Sequence, residues 1–184
     1  MGEPRRDGCR LSGVTVQTAG RSRMPPAWPW ISTVARLGLA AVWIVAGALK
    51  AGDLAASARA VNAYQLMPYE AAKVVGAVQP FLEIALGLLL LIGLAVRLSA
   101  GISAVLLLVF IAGIVSAWSR GLAIDCGCFS AGGALGDGQS PRYASEIARD
   151  VGFLLLAGVL LVKPRTRFSL DGLLGDRLMG DRDE

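Results

Sequence analysis

The feature that most constrains this chain is the length of its apolar runs. Leu98 to Trp118 covers 21 residues without a charge. Val74 to Val96 covers 23 with Glu83 as the one charge, and Ile31 to Leu49 covers 19 with only Arg36. A helix rises about 1.5 Å per residue, so roughly 20 apolar residues cross the hydrocarbon core of a bilayer. A fourth run, Val151 to Val162, has only 12 residues. It spans if its helix begins near Arg142 and carries Glu146, Arg149 and Asp150 inside. Ser140-Pro141 offers an N-cap and a first-position proline, and Lys163-Pro164 a stop. The expected fold is all-α, an integral membrane four-helix transmembrane bundle with spans at about 31–50, 73–96, 98–118 and 142–163. Only a tight turn around Arg97 parts the second span from the third, so these two are expected to be an antiparallel pair.

Composition agrees. Apolar residues make up 54% and charged residues 17%, against about a quarter charged in soluble domains. No histidine is present, which removes imidazole bases, Ser-His-Asp triads and His-ligated metals together. The net charge of +4 sits mostly in tails and loops with few aromatics between the cations. That pattern orients a membrane protein and does not make a nucleic-acid surface. Residues 1–23 are rich in Arg, Gly and Ser and contain no signal-peptide core, whereas Met24 opens a Pro- and Trp-rich lead suited to the interface. Residues 1–30 are therefore expected to be a disordered tail, with 1–23 a mis-assigned start, and 164–184 a second tail. Tails plus Arg97 hold 11 Lys and Arg, and the opposite side holds five: Lys50, Arg59, Lys73, Arg120 and Arg142. The positive-inside rule then places both tails in the cytoplasm of a multi-pass plasma-membrane protein, and the loop from Ser119 to Ser140 outside. Asp53 can cap a short helix running to about Tyr64 in the first outer loop, lying in the interface.

Two of the three cysteines stand in that outer loop, in Asp125-Cys126-Gly127-Cys128-Phe129. Thiols one residue apart can close a small ring, with Gly127 easing the turn, and a strained disulfide exchanges readily. Three readings are open: incidental small residues, a metal site, or a redox pair. Two thiolates without His are too few ligands for a metal, so no metal is expected. Downstream glycines, including Gly132-Gly133, would let the loop move. Charges inside the bilayer form a second feature, because they usually pair or serve function. Glu83 shares a face with Gly76, Pro80 and Gly87, and Arg36 shares one with Trp43, Gly47 and Lys50. Glu83 is expected to pair with Arg36 or Arg149, either as a structural ion pair or as a relay near the thiols.

Several segments in order resemble the MauE family of methylamine-utilisation membrane proteins, within the wider DoxX-like group. They are Arg36-Leu37-Gly38 and Ala46-Gly47-Ala48-Leu49-Lys50 in the first span, Tyr64-Gln65-Leu66-Met67-Pro68 in the outer loop, and Pro80-Phe81-Leu82-Glu83 in the second span. Arg120-Gly121, the Cys-Gly-Cys-Phe signature and Arg149-Asp150 complete the set. The resemblance covers about residues 31–165 and implies a four-helix membrane protein tied to thiol–disulfide chemistry. It further implies a role in maturing the disulfide-rich small subunit of methylamine dehydrogenase, beside a thioredoxin-like partner. On this reading Cys126 and Cys128 are the redox pair, with Gly127, Glu83 and Arg149 supporting. The pair exchanges disulfides with an extracytoplasmic thioredoxin-like protein as a thiol–disulfide oxidoreductase. A second acceptor or donor of electrons is required. A quinone would serve, though no motif marks one, and no cofactor is identified. The competing expectation is a membrane scaffold that anchors a partner enzyme, its cysteines structural.

Overall fold

A computed structural model of the chain describes residues 28–127, 132–136 and 139–163. Residues 1–27 and 164–184 of the expected tails, with Cys9 and Cys128, lie outside the described residues, while Trp28 to Trp30, expected in the first tail, open a helix. Five helices and one small hairpin make up the described residues. They are α1 (Trp28–Ala51), α2 (Leu54–Ala63), α3 (Tyr69–Ile92), α4 (Val96–Ser119), the strands β1 (Ile124–Asp125) and β2 (Gly133–Ala134), and α5 (Tyr143–Val162). By length and composition α1, α3 and α4 are each apolar enough to cross a membrane. Helix α5 has 20 residues, enough for about 30 Å, but its first half carries Glu146, Arg149 and Asp150. The protein is an all-α membrane bundle.

The turn between α3 and α4 falls at Gly93 to Ala95, not at Arg97. Gly93 adopts φ 72° and ends α3, its N–H reaching Leu89 O at 3.0 Å while Leu94 N–H reaches the same carbonyl at 3.0 Å. This left-handed glycine cap stops the helix wherever the glycine stands, so apolarity continuing to Val96 misleads. Arg97 therefore sits in the first turn of α4. Ser140 and Pro141 do not open α5 either. The helix starts at Tyr143 without a side-chain cap. Its start is fixed instead by the Tyr143 hydroxyl, which donates to Leu122 O and accepts from Ile124 N–H. Although consecutive through a tight turn, α3 and α4 touch only sparingly, and the extensive packing runs between α1 and α3 and between α4 and α5.

Lipid gives little hydrophobic drive between helices, so close backbone approach and dispersion hold such a bundle. Glycines make that approach possible. A Cβ on Gly47 would stand 2.7 Å from Pro80 O, and one on Gly87 would stand 2.6 Å from the Ile44 side chain. Helices α1 and α3 thus meet backbone to backbone. Helix α2 begins at Asp53, whose carboxylate accepts from Ala56 N–H at 2.8 Å. It packs on α3. Gly76 of α3 receives it so closely that a Cβ there would come 2.6 Å from the Ala58 backbone. The core between α1, α3, α4 and α5 holds Leu39, Trp43, Leu90, Ala100 and Leu160, and Trp43 Nε1–H donates to Ser103 Oγ at 2.9 Å. The outward surface carries Val34, Val74, Val78, Leu98, Val105, Val109 and Leu155. In water that much exposed apolar surface would drive aggregation, while in a bilayer it meets acyl chains.

Candidate redox site around Cys126

The loop after α4 folds back as a hairpin, pairing Ile124 with Ala134 and Asp125 with Gly133. Cys126 follows β1 directly and its sulfur is half-buried. Three polar contacts fix the segment. Asp125 Oδ1 accepts from Gly127 N–H at 2.8 Å, the Tyr64 hydroxyl donates to Cys126 O at 3.3 Å, and Arg120 donates to the carbonyls of Tyr64 and Gln65. The end of α2 and the start of the hairpin are therefore tied to each other.

Glycine does more here than loosen the chain. Gly127 and Gly132 have φ of 72° and 64°, and a Cβ on Gly132 would stand 2.7 Å from both Gly127 Cα and Ala60 Cβ. The two legs of the hairpin cross at these glycines and rest on α2. At Gly127 and Gly132 left-handed backbone and close contact require glycine, whereas Gly133 and Gly136 have nothing within 4 Å of an added Cβ. Cys128 lies outside the described residues, and with it the ring that a Cys126–Cys128 disulfide would close.

Around the sulfur stand three charges from α5 and β1. Arg149 Nη2 donates to Cys126 Sγ at 3.4 Å. Asp125, Cys126 and Glu146 bring one ligand atom each within 4.8 Å of one another. Glu146 lies close enough to the Cys126 backbone and sulfur to interact with both. A guanidinium against sulfur favours the thiolate, and a carboxylate within reach can take the thiol proton. Sulfur and two carboxylates also form a three-ligand set that could hold a metal, though the guanidinium already occupies one side of the sulfur.

Arg149 links this surface cluster to the core. Its Nε and Nη2 both lie 3.0 Å from Asp150 Oδ1, and Asp150 is buried. Glu83 does not pair with Arg36 or with Arg149, and this expectation is corrected. Its partner is Lys50, whose Nζ stands 2.6 Å from Glu83 Oε1, where Gln79 also donates at 2.8 Å. The reason is the crossing of α1 on α3. The two helices run antiparallel, with Gly47 against Pro80 and Ile84, and the Lys50 side chain, one turn beyond Gly47, leans back toward the N-terminus of α1 and reaches Glu83. Arg36 is 14 residues before Lys50, about 21 Å up the helix, and is buried at the opposite end of the bundle. Asp150 lies close enough to Lys50 for the two charges to interact, so Glu83, Lys50, Asp150 and Arg149 alternate in sign from the core toward Cys126. Sequence reasoning counted Lys50 among loop charges. Its position in the last turn of a span, after Gly47, was the available signal. Tyr64, Tyr143, Gly132 and Glu146 had no assigned role at the site. Tyr64 stands in a segment that carries the family resemblance, while the other three become visible only through tertiary contacts.

The match to known families is decisive at one level. Residues 28–163 match the family described as Methylamine utilisation protein MauE. The chain belongs to the MauE family. The matched region takes in every helix and the hairpin of this multi-pass membrane protein. Comparisons with curated proteins and with solved structures gave no match.

Proposed function

We propose that this MauE protein is a membrane thiol–disulfide redox protein acting through Cys126 and Cys128. The loop faces the extracytoplasmic side and the exchange partner is thioredoxin-like. Its placement outside is supported by charge: with Lys50 intramembrane and residues 1–23 set aside as a mis-assigned start, four Lys and Arg remain on the loop side against six on the other. The observation that carries the reading is the Arg149 guanidinium against Cys126 Sγ. A thiol held by a guanidinium leaves and attacks more readily as thiolate.

In the exchange, a thiolate of the partner attacks Cys128 of the Cys126–Cys128 disulfide and expels the Cys126 thiolate beside Arg149. The partner's second thiolate then attacks its own mixed-disulfide sulfur and expels Cys128. The partner leaves with a disulfide, and the MauE protein keeps two thiols. A disulfide-rich client, of which the small subunit of methylamine dehydrogenase is the one the family suggests, then takes that disulfide from the partner. The test is trapping. Cys126→Ser leaves Cys128 to attack the oxidised partner and form a mixed disulfide that no second thiol of the MauE protein can resolve, captured by acid quenching and alkylation and recovered by non-reducing electrophoresis and mass spectrometry. Absence of any mixed disulfide from both Cys126→Ser and Cys128→Ser, in cells that make the native complex, refutes the exchange. The firm seating of the hairpin on α2 favours a second reading, a scaffold with structural cysteines. That reading predicts full function in both serine variants.

A further inference from the structure

A cavity of about 150 Å³ lies where α2, α3 and α4 part, beside the hairpin. Apolar cavities of that volume accept one six-membered ring. Lys50, Gln79, Tyr64 and Cys126 contribute its polar wall, and Val75 and Val109 stand on the two helices at its side. Val75 is 41% and Val109 59% exposed, on outward faces that meet lipid. Helices α3 and α4 pack sparingly, and with Val75 and Val109 exposed on either side the gap between them is the lateral entrance on which the inference rests. Lys50 brings three N–H groups and uses one on Glu83, and Gln79 likewise gives Glu83 one of its two amide hydrogens. The remaining donors point a ring-sized acceptor ligand toward the buried end, with Cys126 in the same wall.

We infer that this cavity binds a membrane-dissolved quinone, its carbonyl oxygen against Lys50 and Gln79, as the oxidant that restores the Cys126–Cys128 disulfide. The inference rests on the thiol-exchange reading above and supplies the acceptor it needs. The balance is closed: two thiols lose two protons and two electrons and form one S–S bond, and the quinone gains both and becomes a quinol. A water-soluble acceptor would have no need of a lateral apolar entrance. A lipid-soluble, two-electron, two-proton acceptor with hydrogen-bonding oxygens on a ring fits the volume, the entrance and the donors together.

The experiment uses the full chain in nanodiscs with a short-tailed benzoquinone. Binding is measured by calorimetry on Cys126→Ser, which cannot turn over. Oxidation is measured on the reduced wild-type protein by thiol alkylation and quinol absorbance. Saturable binding and one quinol per two thiols lost are expected. Val109→Phe fills the entrance and should weaken binding by at least about tenfold. Val105→Phe, one turn along the same lipid face and outside the cavity, should leave it unchanged. If partner exchange proceeds but quinone neither binds nor oxidises the thiols, this inference falls and the exchange reading stands. If quinone binds while the thiols react with neither quinone nor partner, both fall. A phospholipid acyl chain held in the cavity and not displaced by quinone also overturns it.

Discussion

Replacing Lys50 with methionine should be the most damaging single change in the interior, and more damaging than replacing its partner. Lys50 and Glu83 side chains are 10% and 1% exposed and 2.6 Å apart. Removing one member of a buried pair leaves an uncompensated charge, a loss of about 3–5 kcal/mol. Glu83 sits mid-helix with no route to water, so Lys50→Met should show that full loss, about two to three and a half decades in the unfolding equilibrium. Lys50 is in the last turn of α1 and can extend toward the interface, and its ammonium also lies 5.7 Å from the centre of the Phe110 ring. Glu83→Gln should therefore lose less, about 1–3 kcal/mol, as for a disrupted hydrogen-bonded charge. The double variant should be less destabilised than the sum, with coupling toward the upper end of about 0.5–3 kcal/mol. Reversible unfolding in mixed micelles, followed by helical circular dichroism, reads all four proteins. Additive losses, or equal losses in the two single variants, would refute the claim that this pair is buried and asymmetric in its access to water.

Other outcomes follow from single contacts. Arg149→Gln should slow alkylation of Cys126 at neutral pH by about three- to tenfold, because the guanidinium no longer favours the thiolate. An unchanged rate would show that the neighbouring Glu146 and Asp125 carboxylates, not Arg149, set its reactivity. Gly76→Leu should separate α2 from α3, where even a Cβ meets backbone at 2.6 Å, and destabilise by about 1–3 kcal/mol, with faster hydrogen exchange confined to α2 as the readout. Gly132→Ala should cost about 1–2 kcal/mol from left-handed backbone alone, and by pushing the hairpin off Ala60 should raise the accessibility of Cys126 to bulky thiol reagents.

The bundle was legible because bilayer thickness is an external ruler. The three cleanest runs became α1, α3 and α4, and the charged start of α5 was readable once Glu146, Arg149 and Asp150 were allowed inside a helix. Asp53 announced α2 in the same way, through a capping side chain whose partner is only three residues away. What the sequence hid was the pairing between elements. Helical spacing puts Arg36 and Lys50 on one face of α1, and only the crossing point at Gly47 decides that Lys50, not Arg36, meets Glu83. The close approach at Gly127 and Gly132 was hidden for a related reason. Glycine permits both mobility and tight contact, and only the placement of Ala60 against Gly132 distinguishes them. The neighbours of Cys126 come from α2 and α5, 62 and 23 residues away, beyond any local pattern.

The account stands on the reactivity of the Cys126–Cys128 pair from outside the membrane, and a redox titration with an impermeant label tests it most directly. Intact spheroplasts are equilibrated in buffers spanning about −180 to −300 mV, labelled with a membrane-impermeant maleimide, and the alkylated protein is counted by mass. The pair should titrate reversibly as two electrons within that window. Labelling only after the membrane is breached, or a pair that takes no part in exchange anywhere in the window, would contradict it.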